Sequence, residues 1–372
     1  MKKIILVSFL YLDELPPMMT VLKVLSKNHK ILYIGVDDLT DTYKNLFGNN
    51  VKFINISNGE MSNGNGILSK CKRYIQRKSR DFKWKRVNKI IEKNYCPGDL
   101  LWIHHEFTLM HLRRLTIPYF LTMYELHQDL FKKKSELKYR VKKAKKVIVP
   151  EYTRSAIVKA CAGLNDMPVV IQNKPYDYNL VKTRLENNPM KDIVEKAHAE
   201  KKKVILYSGI FLRERKLDTF IEAVRNLNDK FEVVLMGRKS QYLDELLENY
   251  PFVKYIGFFN PPSHLSVVEM ADIGILTYVA DSGSINPVFC APNKIWEYAK
   301  YGIPMLCNDI PGLKYTVEYN KFGLCCNENS IDSICNALEK ICDNYQKFSE
   351  NAFNYYKTVD IEKDILQVIE NE

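Results

Sequence analysis

Short apolar runs recur along the chain, and their spacing decides the fold class. Runs at 4–9, 31–34, 51–54, 100–103, 119–123 and 147–149 are rich in β-branched and aromatic residues and are separated mostly by helix-length segments. A continuous apolar run, unlike an alternating one, buries both of its faces. It therefore predicts a strand of a parallel sheet covered by helices on both sides. The pattern then restarts: Lys201-Lys202-Lys203-Val204-Ile205-Leu206-Tyr207-Ser208-Gly209 resembles the opening Lys2-Lys3-Ile4-Ile5-Leu6-Val7-Ser8. Runs at 232–236, 253–256, 273–276 and 304–307 follow it. The expectation is an α/β chain of two Rossmann-like domains, 1–175 and 176–352, joined by a polar connector near 175–203. A helix is expected over 353–372, with Ile361, Ile365, Val368 and Ile369 on its apolar face. The length of 372 residues suits two such domains. Open parallel sheets bind ligands beyond the carboxyl ends of their strands, so two sheets facing each other imply a cleft between them.

Several classes fall away. The apolar stretch 4–12 is far shorter than the roughly 20 residues of a membrane span. Asp13, Glu14, Pro16 and Pro17 follow it without a small-x-small cleavage site, which favours a buried first strand over a signal peptide. Nine cysteines, with no Cys-x-x-Cys pair and with Cys325 beside Cys326, fit neither a metal site nor a disulfide framework. A cytoplasmic protein with reduced thiols is expected. Neither half has Gly-x-Gly-x-x-Gly after its first strand, which argues against a dinucleotide-dependent oxidoreductase, and no P-loop motif occurs.

Charge adds a location. The net charge is +11, and two segments carry it: 70–89 has ten basic residues against Asp81, and 131–146 has nine against Glu136. Such asymmetry marks one half of the molecule for an anionic partner, be it nucleic acid, a membrane surface or a phosphorylated substrate. The alternative is a solvated, Lys-rich helix face.

The densest chemistry lies in Ala291-Pro292-Asn293-Lys294-Ile295-Trp296-Glu297-Tyr298-Ala299-Lys300-Tyr301-Gly302-Ile303-Pro304. Pro292 suits the first position of a helix and Gly302 the position just past its end, which predicts about three turns. The amino end of a helix attracts anions, and Lys294 lies in that first turn. Glu297 shares its face three residues on. A lysine for phosphate and a carboxylate for ribose hydroxyls would recognise a nucleotide diphosphate; the alternative is a surface Lys–Glu pair on an ordinary helix. Arg213, Arg215 and Lys216 directly follow the run ending at Ser208. Arg215 is the preferred pyrophosphate partner, because a guanidinium binds phosphate in a bidentate way.

Taken in order, these pieces resemble the family 4 glycosyltransferases of the GT-B fold. The resemblance covers most of 200–345. It runs through Tyr207-Ser208-Gly209, Arg215-x-Leu217, Val234-Leu235-Met236-Gly237, Tyr255-Ile256-Gly257-Phe258, Ala271-Asp272-Ile273-Gly274-Ile275, Pro292-Asn293-Lys294-x-x-Glu297-Tyr298, Gly302-Ile303-Pro304, Pro311-Gly312 and Phe322-Gly323-Leu324. It implies a nucleotide-sugar-binding second domain with Glu297 on the ribose, Arg215 on the diphosphate and the Asn293 and Lys294 amides near the phosphates. It also implies a first domain that binds the acceptor, and a chain that crosses back to the first domain through 353–372. No metal or other cofactor is implied, since cations and a helix end offset the leaving diphosphate. The retaining outcome usual in the family, and the Pro-Asn-Lys-x-x-Glu branch of bacterial surface-polysaccharide enzymes, are implied too. Two positions depart from the family pattern: Phe289 stands where many members have a second glutamate, and Ile210 where many have arginine.

In the first half, Trp102-Ile103-His104-His105-Glu106 and Thr122-Met123-Tyr124-Glu125-Leu126-His127 end strands. Related enzymes often have a His-Glu or His-Asp pair in the second place; here Tyr124 stands for the histidine beside Glu125. His105, Glu125 and His127 are the candidates to deprotonate an acceptor hydroxyl, although a strand-end histidine is more often structural. The expected function is sugar transfer from a nucleotide-diphosphate sugar to a glycan acceptor, lipid-linked if the basic segments dock on an anionic membrane. The alternatives are a sugar-nucleotide epimerase of the same fold and a non-catalytic nucleic-acid-binding protein. The second explains the charge but leaves 292–302 without a purpose.

Overall fold

A computed structural model describes residues 3–13, 15–56, 86–112, 115–176, 185–227, 229–278 and 285–370. Most of the basic segment 70–89, including Phe82 and Trp84, lies outside the described residues. The chain divides into two compact units, one formed by 1–176 with 361–372 and the other by 177–360.

Unit 1 is a seven-stranded parallel sheet of β1 (Lys3–Val7), β2 (Lys30–Gly35), β3 (Val51–Asn55), β4 (Leu100–His104), β5 (Tyr119–Thr122), β6 (Lys146–Val149) and β7 (Val169–Val170), in the order β3-β2-β1-β4-β5-β6-β7. The order reverses between β1 and β4, which pair in parallel from Ile4↔Leu100 to Val7↔Ile103. The apolar runs become central strands because both faces are covered. On one face Ile4, Leu6, Leu100, Trp102, Phe120 and Ile148 pack under the helix Pro16–Ser26 and under Ile361, Ile365, Val368 and Ile369. The stretch 353–372, expected as one helix, is two. Tyr345–Thr358 belongs to unit 2, and Ile361–Glu370 belongs to unit 1, where Lys27 pairs with Glu362 at 2.6 Å and Lys146 Nζ donates to the Val368 carbonyl at 2.6 Å.

Unit 2 repeats the plan with β8 (Lys203–Ser208), β9 (Phe231–Met236), β10 (Lys254–Tyr255), β11 (Ile273–Leu276), β12 (Met305–Asn308) and β13 (Gly323–Cys326), in the order β10-β9-β8-β11-β12-β13. All pairings are parallel, and the order reverses between β8 and β11. Two apolar clusters, one on each side of this sheet, hold it between helices. β7 and β13 are strands beyond those the apolar runs predicted. In an open parallel sheet the crevice at the reversal is where ligands bind. That puts His105, which follows β4, and Gly209 and Thr277, which follow β8 and β11, at the two places of interest.

Candidate functional site

In unit 2 the helix Lys294–Lys300 is seven residues long, two turns rather than the three expected. Asn293 takes the cap position with helical backbone and no side-chain capping bond, so Pro292 stands one residue before the cap and not at the first helical position. The far end matches expectation. Gly302 adopts φ 64°, its N–H bonds to the Ala299 carbonyl at 3.1 Å, and Ile303 N–H bonds to the Tyr298 carbonyl at 3.1 Å. This left-handed cap suits glycine and turns the chain sharply into β12. Tyr298 ties the helix to the sheet by donating from its hydroxyl to the Leu206 carbonyl at 3.0 Å.

The Lys294 side chain lies against Gly209. A Cβ built on Gly209 would stand 2.9 Å from both Cε and Nζ of Lys294, so the missing side chain is what lets the ammonium cross the end of β8. Burial lowers the Lys294 pKa; the charge of Glu297 works against that, and the charge of Arg215 adds to it. Arg215 is braced from β11: its Nη1 donates to the Thr277 carbonyl at 3.1 Å, and its guanidinium sits 4.0 Å from the Tyr278 ring centroid. Thr277 returns a hydroxyl bond to the Arg215 carbonyl at 2.9 Å. Arg213 is turned away into an ion pair with Glu245, and Lys216 Nζ donates to Asn329 Oδ1 at 3.2 Å.

Glu297 has a neighbour that the sequence reading missed. His264 Nε2 lies 3.4 Å from Glu297 Oε1. Burial would raise the Glu297 pKa, but contact with His264 and then the charge of Lys294 outweigh it, so the carboxyl is held below its ordinary value. Arg215, Lys294 and Glu297 therefore form a half-buried group with two fixed cations and one carboxylate. Such a site favours an incoming anion, which would relieve the repulsion between its cations.

In unit 1 the strand ends bring together more than the three candidates. His104, fully buried, contacts the Tyr124 hydroxyl through Nδ1 at 2.9 Å, stacks on Trp102 at 5.2 Å, and has no partner at Nε2. His105 adopts φ 78°, accepts the Phe107 N–H at Nδ1 (3.1 Å) and lies 3.4 Å from Glu106. Burial, with the nearby charge of His127, pulls its pKa to about 4. His127 is exposed and accepts the Asp129 N–H at Nδ1 (3.1 Å), and Glu125 is exposed. Since Nδ1 is an acceptor in both rings, the neutral imidazole carries its proton on Nε2. His105 and His127 thus offer a donor at Nε2, and among the three candidates Glu125 is the acceptor. Glu106, buried with Oε2 unpartnered, is pushed up to about 8, chiefly by burial. It directly follows His104 and His105 in the sequence, and only its burial in the fold distinguishes it.

The basic segment 131–146 wraps the amphipathic helix Glu136–Lys143, which buries Leu137 and Val141. Arg140 is used internally, donating to Glu136 at 2.7 Å and to the Leu109 carbonyl at 2.7 Å. Lys133, Lys134, Lys142 and Lys143 are exposed, as are Phe131 and Tyr139. No helix among the described residues is long and apolar enough to cross a membrane.

Comparison with known proteins follows the same division. Residues 190–357 match the family of glycosyl transferases group 1. No curated protein sequence matches at a significant level. Among solved structures, HepE of Anabaena in complex with UDP is similar with a TM-score of 0.70 at 14% identity, covering 100% of this chain and 99% of that one. Sucrose-phosphate synthase of Thermosynechococcus elongatus has a TM-score of 0.69 at 14% identity, covering 100% and 98%. Trehalose-6-phosphate synthase OtsA has 0.70 at 12%, again covering 100% and 98%. At such identities the likeness establishes the fold, and the family match lies wholly within unit 2. The chain is thus a two-unit protein of the GT-B fold, and residues 190–357 of its second unit are similar to the glycosyl transferases group 1.

Proposed function

We propose that the protein transfers a sugar from a nucleotide-diphosphate sugar to a lipid-linked glycan acceptor in the assembly of a surface polysaccharide. The observation that carries the reading is the pair of cations, Arg215 and Lys294, fixed at the strand-order reversal of unit 2 beside one carboxylate, Glu297. In this reading Arg215 and Lys294 hold the diphosphate, with the Asn293 and Lys294 amides nearby, and Glu297 accepts hydroxyls of the ribose. UDP is the first nucleotide to consider, because the neighbour HepE was solved with UDP and with UDP-glucose.

The chemistry is one substitution at the anomeric carbon. The acceptor oxygen forms a bond to that carbon, the bond from carbon to diphosphate oxygen breaks, and the hydroxyl proton leaves the acceptor. Stabilising the departing diphosphate is the largest task, and it falls to the two cations without a metal ion. Glu125 is the group suited to take the proton, while His105 and His127 offer Nε2–H to substrate oxygens. The anomeric configuration is retained in this proposal, so the acceptor oxygen enters on the same face of the sugar from which the diphosphate oxygen departs. Exposed lysines and the aromatic residues Phe131 and Tyr139 on the helix Glu136–Lys143 and its approach would dock the enzyme on an anionic lipid surface.

A thermal-shift panel with UDP, GDP, ADP, TDP and CMP, with and without magnesium, tests the donor assignment. A diphosphate at 100 times its dissociation constant stabilises by about 2.7 kcal/mol. The expected result is a shift with one diphosphate that is independent of magnesium and is lost in Glu297→Ala. Undiminished binding by that variant would remove Glu297 from the site, and no shift with any nucleotide would defeat the reading.

A further inference from the structure

His264 is held in an arrangement that packing alone does not explain. It caps the short helix Leu265–Val268, and its side chain is 14% exposed against 19% for Glu297. Nδ1 is buried without a hydrogen-bond partner, while Nε2 approaches Glu297 Oε1 at 3.4 Å. A buried ring nitrogen without a partner loses its hydration for nothing in return. The ring's one visible gain is at its other nitrogen, on the carboxylate. We propose that His264 is a positioning residue for the donor's ribose: its Nε2–H holds one oxygen of Glu297 and leaves the second oxygen turned to accept hydroxyls. The inference rests on the reading of Glu297 as the ribose-binding group.

Other groups facing Glu297 do not replace this contact. Lys294 lies on the same helix, but its ammonium extends over Gly209. Tyr278, from the loop after β11, and Tyr298, from the same helix, are phenols kept neutral by burial, and Arg215 reaches the group through its repulsion with Lys294. The imidazole is therefore the contact that offsets the burial of Glu297 most, ahead of Lys294. Without it the carboxyl would gain a proton at a higher pH and lose its use as an acceptor, and a freer rotamer would weaken what remained.

The test is isothermal titration of the full chain with UDP, and with GDP and ADP in parallel, from pH 5 to 8. It compares wild type, His264→Ala, His264→Gln and Glu297→Ala, each checked by circular dichroism. His264→Ala is expected to bind the diphosphate about ten-fold more weakly at pH 7, as loss of a hydrogen bond to a charged group implies. Its affinity should fall further toward pH 5, where that of the wild type holds. His264→Gln, whose side-chain amide offers an N–H in the place of Nε2, should restore most of the affinity and the flat profile. Wild-type affinity and pH dependence in His264→Ala, with Glu297→Ala impaired, would overturn the positioning role and leave the ribose reading standing. Normal binding by Glu297→Ala, or no binding of any diphosphate to the wild type, would instead overturn the ribose reading itself. Should His264→Ala not fold, His264→Gln decides: a ten-fold loss there refutes the proposal, and wild-type binding supports it.

Discussion

Replacing Glu106 with glutamine should flatten a pH dependence that three buried groups of unit 1 create together. Glu106 titrates near 8 instead of the ordinary 4.5, chiefly through burial. The same burial pulls His104 to about 3 and His105 to about 4 from 6.5. Between pH 4.5 and 6.5 the native state keeps the proton of Glu106, which the unfolded chain releases. It also lacks two imidazole protons that the unfolded chain takes up. The unfolded state then binds more protons, and stability rises with pH. Above 6.5 both imidazoles are neutral in either state, and Glu106 alone remains. The native state now binds the extra proton, so stability falls until pH 8 is passed. At 1.36 kcal/mol per pH unit the wild type should lose about 2 kcal/mol between pH 6.5 and 8. That is roughly 4–8 °C in Tm for a unit of this size. Glu106→Gln has no proton to release and should lose little over the same interval. The assay is calorimetry of both proteins at pH 6.5, 7.25 and 8, reading the difference between their unfolding temperatures so that groups common to both cancel. Parallel decline of the two curves would refute the reasoning.

Three further outcomes are expected. Gly209→Ala places a Cβ 2.9 Å from the end of Lys294 and should weaken UDP binding ten-fold or so by titration calorimetry, with a smaller effect on Tm. Arg215→Lys keeps the charge but loses the flat contact with Tyr278, and should raise the UDP dissociation constant about five-fold; an unchanged value would argue against a diphosphate at this guanidinium. The triple change Lys133→Glu, Lys134→Glu and Lys142→Glu should weaken sedimentation with phosphatidylserine vesicles by roughly a hundred-fold or more, at about 1 kcal/mol per lost cation. UDP binding should be untouched, and vesicle binding that persists would exclude this face as the dock.

The sheets were legible because a strand buried on both faces needs an unbroken apolar run, as 31–34 and 233–236 have. β7 escaped notice because it is two residues long, one of them exposed. β13 begins with glycine and ends with two cysteines, so β-branched residues do not mark it. Helix ends were legible where a backbone conformation demands one residue type, as Gly302 does, and less so at Pro292, whose fixed φ suits more than one position. In unit 2, Arg215, Lys294 and Glu297 stood out because each follows a strand end or a helix start within a few residues. His264 did not, since it reaches Glu297 from an element with no spacing relation to it. In unit 1 the histidines were visible, but not their roles. The proton's place on each ring depends on the backbone N–H of Phe107 and of Asp129, which only the fold supplies.

The helix Ile361–Glu370 belongs to unit 1, although all of unit 2 separates it from the rest of that unit. On the ribosome this orders events. At about 5–20 residues per second, the strands of unit 1 wait roughly 10–40 s for the segment that covers Ile4, Leu6 and Trp102. During that interval unit 2 is complete or nearly so, while unit 1 still shows an apolar sheet face to the cell. Nascent chains stalled after residue 360 should therefore be held by chaperones and cut in unit 1 by proteases. A detached peptide of 361–370, supplied in trans, is the natural reagent to close that face.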